Sequence, residues 1–260
     1  EQSDLMQALY GRNGESPAVV LASSTPANCF DWAYMAAKIT LEHNTPVVLL
    51  SDGHLGNGAE PWKIKSTMDM PEINPNVDTE EGEYQPYLRD EKTLARKLAL
   101  PGTKGKEHRL GGLEKEDVTG NVSYEPENHE IMCEIRAEKI QRISDLIPHQ
   151  EIKGKKEGDL LVIGWGGTYG PLYSAVENLL KEDFKVGLCQ FNYINPLPKN
   201  TADILKNYKK IVVCELNSGQ FANYLRMNFQ GTIFSQYNKL QGFPFTTSEL
   251  EDHFKTLLSK

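Results

Sequence analysis

Apolar residues keep two rhythms along this chain, separated by a long stretch that keeps neither. Residues 1 to about 58 read as helix, strand, helix, strand. The run AVVLA at 18–22 is short and continuous, the pattern of a strand buried on both faces. Thr25 and Pro26 then read as a helix start, with a capping hydroxyl and proline at the first helical position. The helix predicted from Cys29 to about His43 is apolar almost all round, through Phe30, Trp32, Tyr34, Met35, Ala36, Ala37, Ile39 and Leu41, so burial on several sides is expected. PVVLLSD at 46–52 is the next strand. Strand–helix–strand makes a parallel pair, and two parallel strands supply too little sheet to bury both faces. This unit is therefore expected to find its other strands elsewhere.

From 59 to 128 the rhythm stops. Pro61, Pro71, Pro75, Pro86, Pro101, Gly102, Gly105, Gly111 and Gly112 punctuate a segment dense in charges of both signs. A structureless excursion this long is uncommon inside a compact domain, and it reads as a segment that wraps a partner or as a mobile linker. Its apolar anchors, Tyr84, Tyr87, Leu98, Leu100 and Tyr124, favour wrapping, with Arg109 among the charged contacts.

Alternation resumes after a helix from about 127 to 147, with Ile131, Ile135, Ile140 and Ile143 as its apolar positions. Strands are predicted at 159–165, 185–190 and 210–215, and a last one at 231–236. Helices are predicted at 172–180, about 201–207, 219–227 and 248–258, the last capped by Ser248. This alternation predicts an open α/β sheet with right-handed crossovers.

Composition narrows the function classes. The 260 residues are 39% apolar and 25% charged, ordinary for a globular protein. A net charge of −8 argues against a nucleic-acid partner, because phosphates reward a basic footprint. No apolar run approaches the roughly 20 residues of a membrane span, and the polar start carries no signal-peptide pattern. The chain does not begin with methionine, which suggests a fragment or a processed chain. Cys29, Cys133, Cys189 and Cys214 are unpaired in sequence, without the close spacing of zinc or iron–sulfur ligands. The pattern fits a reducing compartment.

Three clusters lie where open α/β sheets bind ligands, at the C-terminal ends of strands. GWGGTYG at 164–170 follows a strand and opens a helix, but Tyr169 stands where a dinucleotide fingerprint needs its third glycine. It reads as a tight turn whose helix start could still take a phosphate or carboxylate. ELNSGQ at 215–220 offers Asn217 and Gln220 as site or interface contacts, and Asn217 and Ser218 equally as helix caps. Ser51, Asp52 and His54 are too close in sequence to form a catalytic triad in one loop. The histidines show no paired metal spacing, and Glu80–Glu81 and Glu114/Glu116 read as solvated carboxylates.

Several strings carry a family resemblance. WGGTYG at 165–170, NPLP at 195–198 and ELNSGQFANYLR at 215–226 are similar to the C-terminal domain of 2-oxoacid:ferredoxin oxidoreductase alpha subunits. ALPG at 99–102, HRLGGLE at 108–114 and SYEPENH at 123–129 resemble that family's excursion, and EQSDL at 1–5 resembles the stretch after its substrate loop. The resemblance implies an α/β fold: the C-terminal half of a thiamine-diphosphate pyrimidine-binding domain at 1–58, the excursion at 59–128, and a transketolase C-terminal-like domain at 129–260. It further implies oxidative decarboxylation of a 2-oxoacid, 2-oxoglutarate by overall likeness, to an acyl-CoA with electrons passed to ferredoxin. Thiamine diphosphate and magnesium would be held mainly by a beta subunit that also carries an iron–sulfur cluster. A cytoplasmic dimer of alpha–beta units is the implied assembly. The family's cofactor-activating glutamate and carboxylate-binding loops match no residue here, so the resemblance transfers no catalytic, cofactor-binding or metal-ligating residue. The rival expectation is a non-catalytic assembly module on the same scaffold.

Overall fold

The computed structural model describes residues 1–259, and two sheets organise them. The N-terminal segment gives α1 (Leu5–Tyr10), β1 (Val19–Ala22), α2 (Cys29–His43), β2 (Val47–Leu50) and a short α3 (Gly53–Asn57). After the excursion come α4 (Pro126–Arg142), β3 (Lys153–Gly154), β4 (Gly158–Trp165), α5 (Tyr169–Lys181), β5 (Val186–Phe191) and β6 (Tyr193–Asn195). The chain finishes with α6 (Thr201–Lys206), β7 (Tyr208–Glu215), α7 (Gln220–Asn228), β8 (Ser235–Asn238) and α8 (Thr247–Leu258).

The larger sheet has the order β3-β5-β4-β7-β8, parallel except for β3 at its edge. Its central strands β4, β5 and β7 are buried on both faces, and their period of two divides them between two cores. Leu160 and Val162 of β4 join α5 (Leu172, Val176, Leu179) and α8 (Leu250, Phe254). Leu161, Ile163 and Trp165 point the other way, toward α1, α7 and the N-terminal sheet.

The lone strand–helix–strand unit finds its third strand far along the chain. β1 pairs in parallel with β2 and antiparallel with β6, which gives the order β2-β1-β6. β1 is shared as β4 is. Val20 and Ala22 enter the core of the large sheet, while Val19 and Leu21 meet Ile39 of α2, Ile140 of α4 and Ile143 in the 3-10 turn just after it. The Asn195–Pro196 bond just after β6 is cis.

Four local expectations need correction. α2 is not buried on several sides: only Ile39 and His43 are buried, and Phe30 and Leu41 are 43% and 44% exposed. One flank rests on β1 and β2, and the other meets only the polar start of the excursion: Trp62 lies 5.1 Å from the Phe30 ring, Tyr34 donates to the Pro71 carbonyl at 2.8 Å, and Asn76 N–H donates to the Leu41 carbonyl at 3.0 Å. The helix runs from Cys29 to His43 as expected, but its N-cap is Asn28 rather than Thr25, and Pro26 lies in the turn before it. Asn28 Oδ1 accepts from Ser24 and Thr25 backbone N–H, and Thr25 Oγ1 accepts from Asn28 N–H, so 24–28 is a side-chain-locked turn ahead of Cys29. The last strand lies at Ser235–Asn238 rather than 231–236, set by pairing with β7. Thr246, not Ser248, caps α8, because a capping box needs its acid three residues on and Glu249 supplies it.

The excursion is not without strand pairing. Isolated bridges join Val77 to Leu98, Tyr87 to Val118, Arg89 to Arg96 and Lys115 to Val122. Lys106 is buried with its Nζ 2.8 Å from the Asp78 carbonyl and 3.2 Å from the Asp78 carboxylate, and Arg89 pairs with Asp117 at 3.4 Å. Polar ties of this kind order a segment that has little apolar surface to bury.

Candidate functional site

The parallel strands β4 and β7 end beside each other, and their loops make the edge where ligands of open α/β sheets bind. After β4, Gly166 turns with φ +58° and the chain enters α5 through one 3-10 turn. After β7, residues 216–219 lead into α7, with Gly219 at φ +87°. Two segments distant in sequence fill the space between these loops.

The first is the loop after β2. Asp52 Oδ1 caps α3 by accepting from Leu55 N–H at 3.1 Å, and Oδ2 accepts from Gly167 N–H at 2.6 Å. The glycine turn therefore does hold a carboxylate at a helix start, and it comes from this chain. A Cβ at Gly167 would stand 2.6 and 2.7 Å from the two Asp52 oxygens, so only glycine admits the approach. Asp52 thus already takes the Gly167 backbone donor that an external anion could have used.

The second is the N-terminus. Gln2 is buried. Its Nε2 donates to the Trp165 carbonyl at 2.7 Å, its Oε1 accepts from Leu216 N–H at 2.9 Å, and its own carbonyl accepts from Asn217 Nδ2 at 2.9 Å. Gln220 reaches the same segment, accepting from Met6 N–H at 3.1 Å and donating to the Ser3 carbonyl at 3.0 Å. Beneath them Glu215 is fully buried. One oxygen accepts from Trp165 Nε1 at 3.1 Å and Phe221 N–H at 2.7 Å, the other from Ala222 N–H at 3.0 Å. A buried carboxylate at the start of α7 is thus satisfied by three donors and by the helix dipole.

The residues expected from sequence to make contacts fall in two places. Asn217 and Gln220 lie together at the sheet edge. Asn217 is 3% exposed, and its Oδ1 accepts from Gly219 and Gln220 N–H at 2.7 and 3.0 Å, so it caps α7 and touches the N-terminal segment together. The others lie on the excursion. Tyr84 is half-buried, donating to the Lys97 carbonyl at 3.0 Å with its ring 5.1 Å from His108, and Tyr87 lies 4.2 Å beneath the Arg96 guanidinium. Leu98, Leu100, Arg109 and Tyr124 are exposed, Tyr124 at 81%. Ser51 and His54 are exposed as well, and no Ser–His–Asp contact forms with Asp52. Sequence reasoning missed the anchoring roles of Asp52, Gln2 and Glu215. Their partners lie 115, 163 and 50 residues away along the chain, and no local pattern announces such contacts.

Among the described residues, no group of three or more His, Cys, Asp or Glu side chains is gathered as a metal ion would need. No described helix is long and apolar enough to cross a membrane.

Comparison with known proteins gives a consistent result. Residues 1–127 match the family model for pyruvate flavodoxin/ferredoxin oxidoreductase, thiamine diphosphate-binding, and residues 158–250 match pyruvate:ferredoxin oxidoreductase core domain II. The chain is 43% identical over its whole length to 2-oxoglutarate oxidoreductase subunit KorA of Mycobacterium tuberculosis, and covers 39% of that protein. It is 28% identical, again over its whole length, to the 2-oxoacid:ferredoxin oxidoreductase subunit alpha of Saccharolobus solfataricus, covering 42% of it. The solved 2-oxoglutarate:ferredoxin oxidoreductase from Magnetococcus marinus superposes on 99% of this chain with a TM-score of 0.90 at 29% identity, and 45% of that chain is covered. The chain therefore spans about two fifths of the length of the curated relatives it matches first. On these matches, which run across its whole length, the chain belongs to the 2-oxoacid:ferredoxin oxidoreductase alpha-subunit family.

Proposed function

We propose that this chain corresponds to the C-terminal part of the alpha subunit of a 2-oxoglutarate:ferredoxin oxidoreductase, an enzyme that decarboxylates a 2-oxoacid oxidatively to an acyl-CoA and reduces ferredoxin. One observation carries the reading: the fold superposes almost entirely, with a TM-score of 0.90, on an enzyme of that name described with 2-oxoglutarate, coenzyme A and succinyl-CoA bound. Identity of 43% to a 2-oxoglutarate oxidoreductase subunit supports the choice of 2-oxoacid.

By likeness to the family, the thiamine diphosphate and magnesium are held mainly by a beta subunit, together with the iron–sulfur cluster. This chain supplies scaffold and interface in three parts, 1–58, 59–128 and 129–260. The middle part spreads over the beta subunit or a neighbouring domain through Leu98, Leu100, Arg109 and Tyr124, with Tyr84 and Tyr87 as partly buried anchors. The complex works in the cytoplasm as a dimer of alpha–beta units.

The test is anaerobic assay of the complex purified through a tag on this chain. Viologen reduction that needs both 2-oxoglutarate and coenzyme A is expected, and residues 1–260 alone should give none. A tagged complex that oxidises no 2-oxoacid, or turnover by this chain alone, overturns the assignment.

A further inference from the structure

Away from the sheet edge, one face of α4 carries His129, Cys133 and Arg136 at spacings of four and three residues, so the three side chains stack along it. Glu114, near the end of the excursion, lies against the same face. Its Oε2 is 2.7 Å from His129 Nδ1, and its Oε1 accepts from Arg136 Nη1 at 3.1 Å. Arg136 Nη2 donates to Cys133 Sγ at 3.0 Å, and His129 Nε2 stands 3.8 Å from the same sulfur.

The chemistry follows from which atoms can donate. An ionised carboxylate only accepts, so His129 Nδ1 carries the hydrogen facing Glu114, and in the neutral ring Nε2 presents its lone pair to the thiol. This is a nucleophile, a base and a group that orients the base, the arrangement that activates cysteine in unrelated enzymes. Arg136 adds an N–H directed at the sulfur, a charged donor placed where negative charge gathers as the thiol gives up its proton. The other three cysteines lack this setting. Cys189 and Cys214 are fully buried, and burial pushes both thiols well up. Cys29 Sγ is turned to the Thr25 carbonyl, 3.4 Å away. Cys133 is only partly buried and borders a cavity of about 550 Å³ that also meets Arg12, Glu15 and Pro17. The ties from Glu114 to His129 and Arg136 would hold the excursion to α4 with any small residue at 133, so the tie itself does not require the sulfur.

We propose that Cys133 is a peroxide-reactive thiol, activated by His129 and Arg136 and oxidised reversibly to a sulfenic acid. The thiol gives its proton to His129 Nε2. The sulfur attacks one oxygen of a hydroperoxide, so an S–O bond forms as the O–O bond breaks. Sulfur loses two electrons and the peroxide gains them. The departing oxygen takes the proton back from His129, leaving a sulfenic acid and water or an alcohol.

The test uses the complex purified anaerobically, treated with less than one equivalent of hydrogen peroxide and then trapped with dimedone. Peptide mass mapping should find the adduct on Cys133 at about ten times the level on Cys29 or more. Cys133→Ser should remove it without transferring it to another cysteine. His129→Gln should slow adduct formation about tenfold. The within-sample comparison of Cys133 with Cys29 needs no variant to fold. Equal labelling of the two, no label on Cys133, or an H129Q rate within twofold of the parent overturns the proposal.

Discussion

Asp52 accepts a hydrogen bond from the backbone N–H of Gly167 at 2.6 Å, across 115 residues of sequence. That contact locks the loop after β2 to the turn after β4, and so fixes the N-terminal sheet against the large one. It also satisfies the Gly167 backbone donor on the sheet edge with a group of the same chain.

Asp52→Ala should lower the unfolding free energy by about 2 kcal/mol, since it orphans the Gly167 N–H and uncaps α3. Gly167→Ala should cost about as much by steric conflict with the same carboxylate. The two losses should not add, because D52A removes the atoms that an alanine at 167 would strike. Urea unfolding of both single variants and the double variant measures the coupling. Additive effects would show that the contact does not form.

Glu215 serves three buried donors at once, so Glu215→Ala should cost about 3–5 kcal/mol and Glu215→Gln roughly half as much. Trp165 lies against this carboxylate, so its fluorescence should report the loosening before global unfolding. A loss below about 1 kcal/mol for E215A would contradict the buried network.

Lys139 gives a pH dependence of definite sign. Burial first, then the nearby Arg89, Arg96 and Arg136 guanidiniums, bring its ammonium down to about 8 from 10.5. Below pH 8 folded and unfolded chains both hold the proton, and the folded state bears the full cost of the buried charge. Between about 8 and 10.5 the folded chain releases the proton while the unfolded chain keeps it, so stability rises with pH across that window. The rise should be on the order of 2 kcal/mol, after allowance for partial solvent screening. Tyr193, pushed up to about 12 by burial, works in the opposite direction above its ordinary value of 10.0. Lys139→Met should flatten the climb and raise stability at pH 7, as denaturant midpoints across pH 7–10 will show. An unchanged slope in K139M would remove Lys139 as its source.

The exposed residues of the excursion give the interface prediction. Leu100→Ser with Tyr124→Ser should weaken association of this chain with its partner by about tenfold or more. Their effect on the isolated chain's stability should be small, because both side chains are largely exposed here. Hydrogen exchange over 59–128 should slow when the partner is present. Exchange that does not change on assembly would mean that this segment orders itself alone.

The hydrophobic rhythm by itself determines most of the elements. Short continuous runs such as residues 160–163, bounded by turn residues, read as strands covered on both faces, and the amphipathic stretches between them as crossover helices. The turn after β4 and the Asn217 side chain at the start of α7 were legible for the same reason: they depend on neighbours within a few residues. Tertiary structure alone decided how those pieces meet. That β6 completes the N-terminal sheet, that Asp52 occupies the glycine turn, that Gln2 plugs the gap between the β4 and β7 loops, and that Glu114 reaches the face of α4 bearing Cys133 all join residues at least 15 positions apart. The same holds for the outer flank of α2, whose composition looked buried but which meets only polar excursion residues and Trp62. Local pattern reports which residues leave water, whereas the partner that covers them is chosen by the packing of the whole chain and its neighbours.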